Sequence, residues 1–132
     1  MSKSFDELVT IMDRLRAPGG CPWDAEQTYQ SLSQYLIEEA YETFDAIQEA
    51  DQTGDIANLR EELGDLLFCC VNLARHLGLD AEIALRGANN KFERRFRAIE
   101  SALAEHGQRV GDCDAQTLDR LWEEAKTRCR QG

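Results

Sequence analysis

Two acidic clusters, Glu38-Glu39-x-x-Glu42 and Glu61-Glu62-x-x-Asp65, are placed symmetrically about one short break in the chain. The pairs Glu39/Asp65 and Glu42/Glu62 share a midpoint at Gln52, inside the segment Asp51-Gln52-Thr53-Gly54. A turn there between antiparallel helices sets Glu39 level with Asp65 and Glu42 level with Glu62, so that four carboxylates converge. Two bare negative charges about 4 Å apart repel by roughly 4 kcal/mol at an effective permittivity of about 20. Four of them require bound protons or a multivalent cation. The pattern therefore predicts a helical hairpin built around a metal.

The remainder of the chain reads as helix. Its 132 residues fit one domain spanning residues 1–132, and only 2 Pro and 9 Gly interrupt it. Phe5, Leu8, Met12 and Leu15 recur at helical spacing, and Ala17-Pro18-Gly19-Gly20 ends that first helix. After a loop Cys21-Pro22-Trp23-Asp24, a second helix begins near Ser31 and runs to about Ala50, with Leu36, Ala40, Phe44 and Ile47 as its apolar stripe. In the loop, Trp23 is expected to pack onto the bundle and Asp24 to cap a turn, with no catalytic role for either.

Asp55 can cap a third helix that carries Leu59, Leu63, Leu66, Cys70, Leu73 and Leu77 on one face and stops at Gly78, with Cys70 as core filler. A fourth carries Leu85, Ala88, Phe92, Phe96, Ile99 and Leu103 and stops at Gly107; Asp114 caps a last one containing Leu118, Leu121 and Trp122. No run alternates with period two over strand length, so the expected class is all-α, a four- to five-helix bundle. Phe68 and Cys69 extend the apolar surface of the third helix beyond its leucine stripe, and a helix apolar on more than one face is usually covered on more than one face. Completion by a second copy, a homodimer with the carboxylates near the subunit junction, is the corresponding expectation.

A formal net charge of −10 argues against broad affinity for nucleic acid or an anionic membrane. The longest wholly apolar run, residues 66–71, is too short to span a bilayer, and the first residues lack the apolar core of a signal peptide, so a cytoplasmic protein is expected. Cysteines at 21, 69, 70, 113 and 129 show no C-x-x-C spacing, and their odd number fits reduced thiols.

No Lys or Arg lies between residues 31 and 59, so the acids of the second helix have no local cation. The plain alternative is a solvated acidic flank formed by Glu38, Glu42, Asp45 and Glu49. Against it stands the same i, i+3 carboxylate pair on both helices. All-oxygen ligation selects Mg²⁺ or Mn²⁺. A di-iron bundle needs Glu-x-x-His, which is absent, since His76 and His106 lie elsewhere. Mg²⁺ typically takes one or two protein carboxylates and leaves room for water and phosphate, so four carboxylates suggest two or more ions around a phosphoryl group. On the fourth helix Lys91 and Arg95 stand at i, i+4, with Arg94 and Arg97 further round. Their mutual repulsion implies an anionic partner, either a phosphate or acids such as Glu61 or Glu38.

Gly20-Cys21-Pro22-Trp23-Asp24, Glu38-Glu39-x-x-Glu42, Glu62-x-x-Asp65 and Lys91-Phe92-Glu93-Arg94-Arg95-Phe96, in this order, resemble the MazG nucleoside triphosphate pyrophosphohydrolases of the all-α NTP pyrophosphatase superfamily. The resemblance spans roughly residues 8 to 125. It implies that Mg²⁺, or Mn²⁺ in its place, is held by Glu39, Glu42, Glu62 and Asp65, while a neighbouring carboxylate, Glu38 or Glu61, orients the attacking water. It also implies that Lys91, Arg94 and Arg95 hold phosphates and that Trp122 lies against base or sugar. A nucleoside triphosphate substrate and a homodimer or dimer of dimers belong to the same implication. This chain departs from the family pattern in carrying one such domain rather than a tandem pair, and in having Asn58 as the candidate substrate contact where some relatives have lysine. Narrower substrates (dCTP, dUTP or phosphoribosyl-ATP) and an acidic helical dimerisation module without turnover are the competing readings.

Overall fold

The computed structural model describes residues 3–131, without the side chains of residues 3, 16 and 129–131, so the thiol of Cys129 lies outside the described residues. The described residues contain five long helices, one single-turn helix and no strand. Helix α1 (Lys3–Arg16) ends in the expected turn, where a Cβ on Gly20 would run into the carbonyl oxygens of Arg14 and Leu15. The segment expected as a loop contains a one-turn helix, α2 (Pro22–Ala25), because Pro22 at its first position has the helical φ already set and no N–H to satisfy.

Helix α3 (Tyr29–Thr53) starts two residues before Ser31, since Thr28 caps it: the Thr28 hydroxyl accepts the Ser31 N–H at 3.1 Å and the Ser31 hydroxyl accepts the Thr28 N–H at 2.9 Å. It ends three residues beyond Ala50, at Gly54, whose φ of 78° only glycine adopts without strain. Helix α4 (Ala57–His76) begins where the Asp55 carboxylate accepts the Ala57 N–H at 2.9 Å. Helix α5 (Ala81–Ala104), a short 3₁₀ turn (Val110–Asp112) and helix α6 (Ala115–Gln131) complete the order. Asp114 caps α6 as expected, accepting the Thr117 N–H at 2.7 Å, and that bond to the ionised form holds its carboxyl below the usual range.

The chain forms two compact units, residues 1–81 and 82–132. In the first, α3 packs along α4, and α1 packs against α4 and α2. In the second, Ile99 and Leu103 of α5 and Ala125 of α6 form a small buried core, with Leu118, Leu121 and Trp122 against it.

The buried side of α3 differs from the expected stripe. Leu32, Thr43 and Ala46 are buried and Leu36 half-buried, whereas Phe44 and Ile47 are 56% and 48% exposed. On α4, Cys69 is buried and Cys70 exposed, the reverse of the expected core filler, and Leu63 is also exposed. The physical reason is close approach. Small side chains (Thr43, Ala46, Cys69) line the contact between the helices, and the bulkier apolar side turns outward. At 100° per residue, antiparallel helices meeting on these faces carry Glu38, Glu42, Glu61 and Asp65 on one side of the hairpin. Ala40, Phe44, Leu63 and Leu67 then lie on the other.

Candidate functional site

The turn at Gly54 folds α4 back on α3, and one buried side chain fixes their register. The Thr43 hydroxyl donates to the Glu39 carbonyl at 2.9 Å and lies 3.4 Å from the Glu62 carbonyl on the opposite helix. That pairing is within one residue of the symmetry about Gln52, so Glu42 and Glu62 stand level.

One carboxylate oxygen from each of Glu39, Glu42 and Glu62 lies within 4.8 Å of the others. Glu39 and Glu62 are half-buried and Glu42 is exposed. The Oε2 atoms of Glu39 and Glu62 are buried with no hydrogen-bond partner. Burial first, then the charges of Glu42, Asp65 and Glu38, push the Glu39 carboxyl above its ordinary range. Burial again leads for Glu62, followed by a hydrogen bond and repulsion from Glu42 and the charges of Asp65 and Glu39. Asp65 thus acts on both, though it lies outside the close group of three and is exposed. Glu38 and Glu61 are exposed beside the group.

Among the described ion pairs, none involves these acids. Two buried carboxylate oxygens without a partner, beside a third carboxylate that repels them, fit a hard divalent cation. Oxygens sharing one octahedral Mg²⁺ at about 2.1 Å stand about 3 to 4 Å apart, which is compatible with the 4.8 Å that bounds the group here.

The remaining candidates are placed separately. Asn58 sits one turn ahead of Glu62, and its amide donates to Glu49 at 3.4 Å. In the second unit Lys91 and Arg94 are exposed, and Arg95 is half-buried with its guanidinium 5.9 Å from the centre of the Trp122 ring. Phe92 lies 5.5 Å from the same ring. Arg97 pairs with Glu93, while Lys91 and Arg95 have no ion pair among the described residues of that unit.

One buried pair has no signature in the sequence. Asp24, 2% exposed, accepts a hydrogen bond at 3.1 Å from Nε2 of His76, so α2 is pinned to the end of α4. No local spacing connects residues so far apart in the chain.

An all-helical chain whose central hairpin gathers carboxylates without cations is the class that this geometry defines. Residues 27–99 match the model of the MazG nucleotide pyrophosphohydrolase domain, and the chain belongs to that family. It is 48% identical over 93 residues to the nucleoside triphosphate pyrophosphohydrolase of Escherichia coli strain K12, covering 69% of this chain and 35% of that protein. It is 45% identical over 95 residues to the nucleoside triphosphate pyrophosphohydrolase/pyrophosphatase MazG of Thermotoga maritima, covering 69% and 36%. The chain thus spans about a third of the length of these curated relatives. The crystal structure of a MazG-related protein from Thermotoga maritima superposes with a TM-score of 0.64 at 25% identity, covering 92% of this chain and 98% of that one. No described helix is long and apolar enough to cross a membrane, and Cys21, Cys69, Cys70 and Cys113 are free thiols.

Proposed function

We propose that this chain is a Mg²⁺- or Mn²⁺-dependent nucleoside triphosphate pyrophosphohydrolase, releasing a nucleoside monophosphate and pyrophosphate. The observation that carries the reading is the group Glu39, Glu42 and Glu62 with its two buried, unpartnered oxygens, inside the segment that matches the family. Asp65 completes the ligand set in this proposal. Bound divalent ions would supply charge neutralisation for the triphosphate and acidify a coordinated water.

The chain's own residues do the rest. Glu38 or Glu61, exposed beside the ligands, holds the water in line with the α phosphorus and takes its proton. The new bond forms from water to the α phosphorus; the bond to the bridging oxygen breaks, and pyrophosphate departs with that electron pair. Lys91, Arg94 and Arg95 bind phosphate oxygens, Trp122 and Asn58 being the further candidate contacts. Phosphorus NMR of reactions with a panel of triphosphates tests this, with monophosphate and pyrophosphate as the expected pair. The same panel ranks dCTP, dUTP and phosphoribosyl-ATP against the others.

A homodimer is part of the proposal. Phe44, Leu63 and Leu67 leave the apolar side of the α3–α4 hairpin exposed, and the like surface of a second copy would cover it. Sedimentation should give a dimer for the natural chain and a monomer for Leu63→Glu; a natural chain that sediments as a monomer contradicts this.

A further inference from the structure

The short helix α2 presents an exposed aromatic ring. Cys21 N–H donates to the Leu15 carbonyl at 3.0 Å, the Gln27 amide donates to the Trp23 carbonyl at 3.0 Å, and Asp24 is tied to His76 beneath the surface. A tryptophan that served only to pack this helix would be buried. Instead Trp23 is 53% exposed, and its one described ring partner, Tyr35 at 6.0 Å and 66° between planes, is itself 43% exposed. The expectation that Trp23 packs the loop onto the bundle is corrected accordingly.

Position gives the rings a meaning. Tyr35 lies four residues before Glu39 and three before Glu38, so it is the next side chain along the acidic side of α3. Helical side chains lean toward the N-terminus, which carries the Tyr35 ring away from the carboxylates and toward Trp23. One helical turn, about 5.4 Å, separates each step of this row. That is roughly the offset a ribose puts between an α phosphate and a base. Trp122, the residue assigned to the base by resemblance, is half-buried, with Phe92 and Arg95 already against its ring.

We infer that the nucleobase of the triphosphate rests against the Trp23–Tyr35 pair, which makes these two residues determinants of substrate class. This rests on the pyrophosphohydrolase reading above. The preferred ligand is then a triphosphate joined to a planar base, and inorganic tripolyphosphate gains nothing from the rings.

The test uses the full chain with Mg²⁺, measuring KM for a nucleoside triphosphate and the inhibition constant of tripolyphosphate in Tyr35→Leu and Trp23→Leu. Loss of one stacking ring should raise KM roughly tenfold, with the tripolyphosphate constant unchanged. In a Trp122→Phe background Trp23 is the sole tryptophan. Its fluorescence should respond to a non-hydrolysable nucleoside triphosphate and not to tripolyphosphate. Turnover with unaltered KM in both variants overturns the ring assignment alone, as does an equal response of KM and the tripolyphosphate constant, or a silent Trp23 with bound nucleotide. A natural chain that turns over no nucleoside triphosphate overturns the pyrophosphohydrolase reading and this inference with it.

Discussion

Glu62→Gln should sharply slow pyrophosphate release and, in the presence of a chelator at neutral pH, melt at a higher temperature than the natural chain. The two effects have one origin. Glu62 is half-buried beside Glu39 and Glu42, and its carboxyl is held above the ordinary value of 4.5. A raised carboxyl pKa means that the folded protein holds its proton more tightly than the unfolded chain. The stabilisation is complete below pH 4.5 and lost as pH rises through the folded-state value, so at neutral pH without metal the charged site opposes folding. A carboxamide removes that opposition. The advantage of the variant should shrink as pH is lowered toward 4 and reverse when Mg²⁺ and a triphosphate are added, because ligand that binds only the folded state stabilises it. Turnover should fall on the order of 10²- to 10³-fold, the scale seen when one preorganised charge-stabilising group is removed. Glu39→Gln should behave alike. Unchanged turnover in either variant, or a lower melting temperature in chelator, contradicts the assignment.

Asp24→Ala should unfold the first unit more readily than any surface change. It leaves the His76 ring buried without its acceptor and releases α2 from α4. Loss of one partner of a buried polar pair costs about 3 kcal/mol when charge is involved, or about 10 °C in Tm for a chain this long. Asp24→Asn keeps an acceptor and should lose less. Thermal and denaturant melts read both, and an Asp24→Ala protein as stable as the natural one contradicts the role given to the pair.

What could be read from the sequence divides along the range of the interaction. Asp114 acts within a few residues of its own position, so the cap of α6 is visible in the sequence, as is the break at residues 51–54, although α3 runs through Thr53 rather than ending near Ala50. The symmetry of the acids about Gln52 is a property of one hairpin, and it placed Glu39, Glu42 and Glu62 together. On α3, apolar content points to the Phe44 side as the buried face, whereas close approach of two helices buries Thr43 and Ala46. Cys69 and Cys70 were exchanged for the same reason. The Asp24–His76 bond joins residues on different helices with no shared periodicity, so nothing local announced it. Tryptophan usually packs, so the sequence points Trp23 inward, and only its exposure beside Tyr35 sets it apart.

The most direct measurement follows oxygen from solvent. Hydrolysis of a nucleoside triphosphate in ¹⁸O-water with Mg²⁺, read by the isotope shift in phosphorus NMR, should place the label in the monophosphate and leave pyrophosphate unlabelled. Label in pyrophosphate, or a diphosphate and inorganic phosphate as products, contradicts attack at the α phosphorus and with it the reaction proposed for this site.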